Sequence, residues 1–146
     1  MRVERIQRLY QWMFSVPDEP RSVLGVIGWW ELRRIPYNII VGSVGVCSLL
    51  LFFLFISQSN VLEPGEDAVE PIAIIFAPFL INIAYTAGWV VELNSRRILG
   101  RRIERLGPLL LKLGLGFSLL VALLPSVYWG IYWLLISMHV IHHTKA

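Results

Sequence analysis

Three stretches of this chain, at about residues 37–56, 71–91 and 113–135, contain no Asp, Glu, Lys or Arg. Each is about 20 residues long, which as a helix spans the roughly 30 Å hydrocarbon core of a bilayer. That length rules out most other outcomes. A water-soluble domain of 146 residues would have to bury all three runs at once. In lipid the same runs are ordinary, provided each satisfies its own backbone as a helix. Composition agrees: 56% of residues are apolar and mean hydropathy is +0.64, against about 45–50% apolar in soluble domains. The pattern predicts an all-α integral membrane protein with three transmembrane helices.

The charges alternate across these runs. Residues 1–36 carry Arg2, Arg5, Arg8, Arg21, Arg33 and Arg34, and the segment after the second run carries Arg96, Arg97, Arg101, Arg102 and Arg105. Between the first and second runs lie Glu63, Glu66, Asp67 and Glu70, with no Lys or Arg from 57 to 70. Basic segments stay on the cytoplasmic side of a membrane. The N-terminus is therefore expected inside, the acidic segment outside and the C-terminus outside, in a bacterial inner (plasma) membrane. Because the net charge of +3 is spread in this membrane pattern, nucleic acid is not an expected partner. The first long apolar run begins only near Tyr37, after six arginines, which is not the layout of a cleaved signal peptide.

Residues 1–36 read as an interfacial region, and residues 37–146 as the transmembrane domain. In "MRVERIQRLYQWMF", Val3, Ile6, Leu9, Tyr10, Met13 and Phe14 share one helical face while Arg2, Arg5, Arg8, Gln7 and Gln11 take the other. This is the spacing of an amphipathic helix lying in the headgroup layer; packing on the protein's own cytoplasmic face is the alternative. Trp12 breaks the pattern by falling among the arginines. Pro17 and Pro20 end this helix, and Ser22 is placed to cap a second short one through "VLGVIGWWELRR". Trp29, Trp30, Arg33 and Arg34 then look like interfacial anchors, with the first span opening at Pro36-Tyr37.

The last apolar stretch admits two topologies. Pro108 to Ile141 is 34 residues, about 51 Å as a helix. One tilted span with Pro125 accommodated inside it is preferred. A hairpin at Pro125, giving four spans, is the alternative. In the preferred arrangement Lys112 extends to the cytoplasmic headgroups and Trp129 and Trp133 join an outer aromatic belt.

Residue types that carry chemistry are sparse. Asn82, Tyr85 and Thr86 form a polar intramembrane face, expected to point inward and to join helices by hydrogen bonds worth about 0.6 kcal/mol each. Asn38, Gly42, Gly45 and Ser48 on the first span, and Gly114 and Ser118 on the third, are helix-packing candidates because small residues let backbones approach closely. Glu92 and Arg96, four residues apart, are expected to form a weak helical pair. His139 and His143 are weak metal candidates, two ligands where a closed site wants four, and no metal or other cofactor is expected. No catalytic constellation occurs. The expected function is that of a small non-enzymatic membrane protein acting as an accessory subunit or homo-oligomer through helix packing. Its expected partners are lipid, including anionic headgroups, and further membrane chains. The alternative is an oligomeric channel, transporter or membrane-perturbing protein with the Asn82 face lining the path.

The charge alternation generates a direct check. Topology reporters fused after Ala146 and placed near Asp67 should both read as non-cytoplasmic. A cytoplasmic C-terminus would instead favour the hairpin at Pro125.

Overall fold

In the computed structural model, which describes residues 2–16, 21–59, 71–99 and 106–138, all regular structure is helical: α1 (Arg2–Phe14), α2 (Val23–Ser59), α3 (Pro71–Leu99) and α4 (Leu106–Ser137). Three of them, α2, α3 and α4, are long and apolar enough to cross a membrane. Ser22 caps α2 as its sequence suggests. Its hydroxyl oxygen accepts from the Gly25 amide at 3.1 Å, and its carbonyl accepts from the Val26 amide at 2.9 Å.

Helix α2 departs from expectation at Pro36. No break separates a short interfacial helix from the first span; the two are one helix of 37 residues with Pro36 inside it. A mid-helix proline lacks the N–H that would serve the carbonyl four residues back, at a cost of about 3 kcal/mol. Tertiary contacts on both sides of it offset that loss. Trp29, Trp30 and Arg33 are buried before Pro36, and Tyr37 and Val41 after it. Helix α4 likewise runs unbroken through Pro125, so the described residues contain one long third helix and no hairpin. Ser126 beside that proline donates to the Leu123 carbonyl at 3.0 Å and accepts from Ser48 at 2.9 Å.

The pairings fix the helix directions. Tyr37 meets Ser118, Ser48 meets Ser126, Phe52 meets Trp129 and Phe55 meets Trp133. Numbers rise together, so α2 and α4 run parallel along most of their length. Asn38 meets Asn82, Arg34 meets Thr86 and Trp30 meets Glu92, so α3 runs antiparallel to α2. All three thus have one basic end, holding Arg21, Arg33, Arg34, Arg96 and Lys112, and one opposite end. Helix α3 packs through its basic half only. From Ile74 to Leu80 every residue is exposed, and the buried Tyr85 and Glu92 anchor the rest.

Helix α1 is held by its last turn. The final carbonyls of a helix have no intrahelical donors, and Arg33 supplies them. Its Nε donates to the Met13 carbonyl at 2.8 Å, and its Nη2 donates to the Trp12 carbonyl at 2.6 Å and the Ser15 carbonyl at 3.3 Å. Its Nη1 donates to the Trp29 carbonyl at 2.9 Å, and the guanidinium lies 4.0 Å from the Trp29 ring and 4.8 Å from the Trp12 ring. That explains Trp12: it breaks the amphipathic pattern because its ring and carbonyl both serve Arg33. Charge-assisted bonds of this type contribute about 1.5–3 kcal/mol each when buried. Arg33→Met should release α1, seen as faster amide exchange and proteolysis across residues 2–16 with α2 to α4 still protected. Arg33→Lys, a point charge without the fork, should only partly restore protection.

Candidate functional site

The densest chemistry in the described residues lies at the basic end, where α2, α3 and α4 converge on Glu92. This carboxylate is fully buried. Its Oε1 accepts from Arg21 Nη2 at 2.7 Å, and from Arg96 Nε at 3.1 Å and Nη2 at 2.7 Å; its Oε2 accepts from the Trp30 indole Nε1 at 2.7 Å. The weak surface pair expected for Glu92 and Arg96 is therefore one edge of a buried node. The correction has a simple cause: Arg21 and Trp30 are 71 and 62 residues away in sequence, beyond the reach of any i, i+4 rule.

Small residues make room for the node. A Cβ on Gly107 would lie 2.5 Å from Glu92 Oε2, and one on Gly88 would lie 2.7 Å from the Trp30 ring. These glycines are where α4 and α3 close onto the carboxylate and the indole. Neither stood out in the sequence. The available signal was the helical register of Tyr85, Gly88 and Glu92, which puts all three on one side of α3.

An aromatic layer continues the node toward the middle of the bundle. The Tyr85 hydroxyl donates to the Trp30 carbonyl. The Tyr85 ring packs on Trp30 at 5.2 Å and on Tyr37 at 4.6 Å between centroids, with the Arg34 guanidinium 5.2 Å away on it. Trp30, Tyr37, Tyr85, Gly88, Gly114 and Phe117 are among the residues lining a cavity of about 340 Å³ that lies between α3 and α4.

The residues singled out in the sequence divide into three groups. Trp29, Trp30 and Arg33, read there as anchors turned to the headgroups, are buried inside the bundle; Arg34 is half-buried and donates to Glu31 at 2.8 Å and Thr86 at 3.0 Å. The polar face pairs internally. Asn82 donates to the Pro78 carbonyl at 2.9 Å and accepts from Asn38 at 3.1 Å, and Thr86 donates to the Asn82 carbonyl at 2.8 Å. Ser48 and Ser118 join α2 to α4, and Trp129 and Trp133 stack on Phe52 and Phe55. By contrast, a Cβ on Gly42, Gly45 or Gly114 would have no neighbour within 4 Å. The acidic segment and His139 and His143 lie outside the described residues. Among those described, no three His, Cys, Asp or Glu side chains come together.

Chemically, the node is a clamp. Two guanidinium groups neutralise Glu92, solvent does not reach it, and among the described residues its side-chain partners are only Arg21, Arg96 and Trp30. Compared with known proteins, the chain matches no family model, no curated protein and no solved structure.

Removing one partner from a buried ion pair costs about 3–5 kcal/mol, because the remaining charges stay buried. Glu92→Gln should therefore lower the melting temperature in mild detergent sharply. Gly107→Leu should do nearly as much by displacing the carboxylate, while Gly42→Ala, with open space around it, should leave the melting curve of the monomer unchanged.

Proposed function

We propose that this chain is a non-enzymatic membrane protein that works through helix packing, as an accessory subunit or a homo-oligomer. It would sit in a plasma membrane with its basic end, and hence its N-terminus, cytoplasmic. The observation that carries this reading is how polar and small residues are distributed over the long helices. The polar groups near their middles are used within the chain: Asn38 with Asn82, Tyr37 with Ser118, and Ser48 with Ser126. What stays open is a face of small residues on α2, with Gly42, Ser43 and Cys47 exposed, and the apolar half of α3 from Ile74 to Leu80. Faces of that composition allow close backbone approach by another helix.

The channel reading needs polar groups left over to line a path. Both ends of the Asn82 amide are already engaged, which favours packing over conduction. Enzymatic chemistry has no support in the Glu92 node, where two guanidinium groups hold one carboxylate oxygen and the Trp30 indole holds the other.

Changing Gly42 and Gly45 together to Leu tests the reading. Nothing within the chain lies within 4 Å of either Cβ position, so the monomer should melt as before. Its assembly in mild detergent, measured by light scattering after size separation, should fall several-fold. Assembly that persists unchanged would mean this face meets lipid.

A further inference from the structure

Helix α1 has an apolar stripe of which the bundle uses only the end. Val3, Ile6, Leu9, Tyr10 and Met13 recur at helical spacing. Met13 is buried against the bundle, yet Val3 and Ile6 are each 67% exposed and Leu9 54%. The stripe that docks α1 thus continues past the bundle with its side chains exposed and no partner among the described residues. Arg33 grips the carbonyls at the end of the helix, so the overhang is held in a fixed direction. The rest of α1 is cationic: Arg2, Arg5 and Arg8 against Glu4 alone.

Beside this overhang stands Lys112, the only charged residue in α4. Its ammonium lies 5.2 Å from the Phe14 ring and 5.7 Å from the Tyr10 ring. Among the described residues it forms no salt bridge. Aromatic faces attract a cation but leave its charge uncompensated. A fixed ammonium, an apolar stripe and a cationic flank at one end of the bundle match one kind of partner: a phospholipid with an anionic headgroup.

We propose that α1 and Lys112 together form an anionic-phospholipid site, with the lipid phosphate on the Lys112 ammonium and the Val3, Ile6 and Leu9 stripe among the acyl chains. The site rests on the membrane reading above. It is more specific than a basic end attracted to lipid in general. The charges of Arg21, Arg33 and Arg96 are turned inward, whereas Lys112 is exposed at the junction of α1 and α4.

The test uses the full chain in vesicles of phosphatidylcholine alone and of phosphatidylcholine with phosphatidylglycerol. In a Cys47→Ser background, a fluorophore is attached at Ile6→Cys or Gln11→Cys and quenched by lipids brominated on the acyl chain. The label at residue 6 should be quenched and that at residue 11 spared. Native mass spectrometry reads the ratio of phosphatidylglycerol to phosphatidylcholine retained. One basic residue at a membrane surface corresponds to about a fivefold preference, so Lys112→Gln should lose about that factor and Lys112→Arg keep it. Equal quenching at residues 6 and 11, or an unchanged lipid ratio in Lys112→Gln, would overturn the proposal while leaving the membrane reading intact. A chain stripped from vesicles by alkaline wash would overturn both.

Discussion

A single buried carboxylate organises this protein. Glu92 has no access to solvent, and an isolated charge in that position would be prohibitively costly. It is tolerated because Arg21, Arg96 and Trp30 all donate to it. The requirement runs in both directions. To surround Glu92, α2 must bring Trp30 and the residue just before its N-cap to α3, and α4 must arrive with a glycine, Gly107. The node therefore sets where three helices meet. Replacement of such a node by apolar residues can be neutral in other proteins, so its value here lies as much in register as in stability. Apolar helix faces slide past one another with little change in energy; a carboxylate with three donors does not.

The basic end also distributes its cations unevenly. Arg33 serves the end of α1, Arg21 and Arg96 serve Glu92, and Arg34 bridges Glu31 and Thr86. Four of the arginines whose charge would orient the chain in a membrane are thus also structural. Among the described residues the opposite end has no comparable device. There α2 and α4 meet through Phe52, Phe55, Trp129 and Trp133, and α3 stands apart. Packing is tight where polar groups demand partners and loose where they do not. Cohesion among apolar helices in lipid comes from close packing and hydrogen bonds rather than from expulsion of water. The unpacked half of α3 and the small-residue face of α2 are consequently the surfaces that the described helices leave open.

Much of the architecture was legible from the residues. The three apolar runs, the continuity of the last one through Pro125 and the cap at Ser22 follow from length, hydropathy and local hydrogen bonding, and these are short-range properties. Pro36 was misleading for the same reason. Local rules favour a helix start there, and only the burial of Trp30, Arg33 and Tyr37 around it keeps α2 in one piece. The polar pairs were legible in kind but not in partner. Asn82 was recognisable as a residue that must point inward, whereas nothing in its neighbourhood names Asn38.

The sequence by itself determined that this chain is helical and that three of its helices are long and apolar enough to cross a bilayer, because an uncharged run of some 20 residues has few other folded states. It also determined which end of each helix is basic. Tertiary structure alone decided the role of individual charges. In the sequence Arg33 and Glu92 look like surface residues at helix ends. In the fold each is enclosed, Arg33 by the carbonyls of α1 and two indole rings, Glu92 by two guanidinium groups and the Trp30 indole. Burial of a charge depends on partners distant in sequence, and no local pattern records where those partners will be.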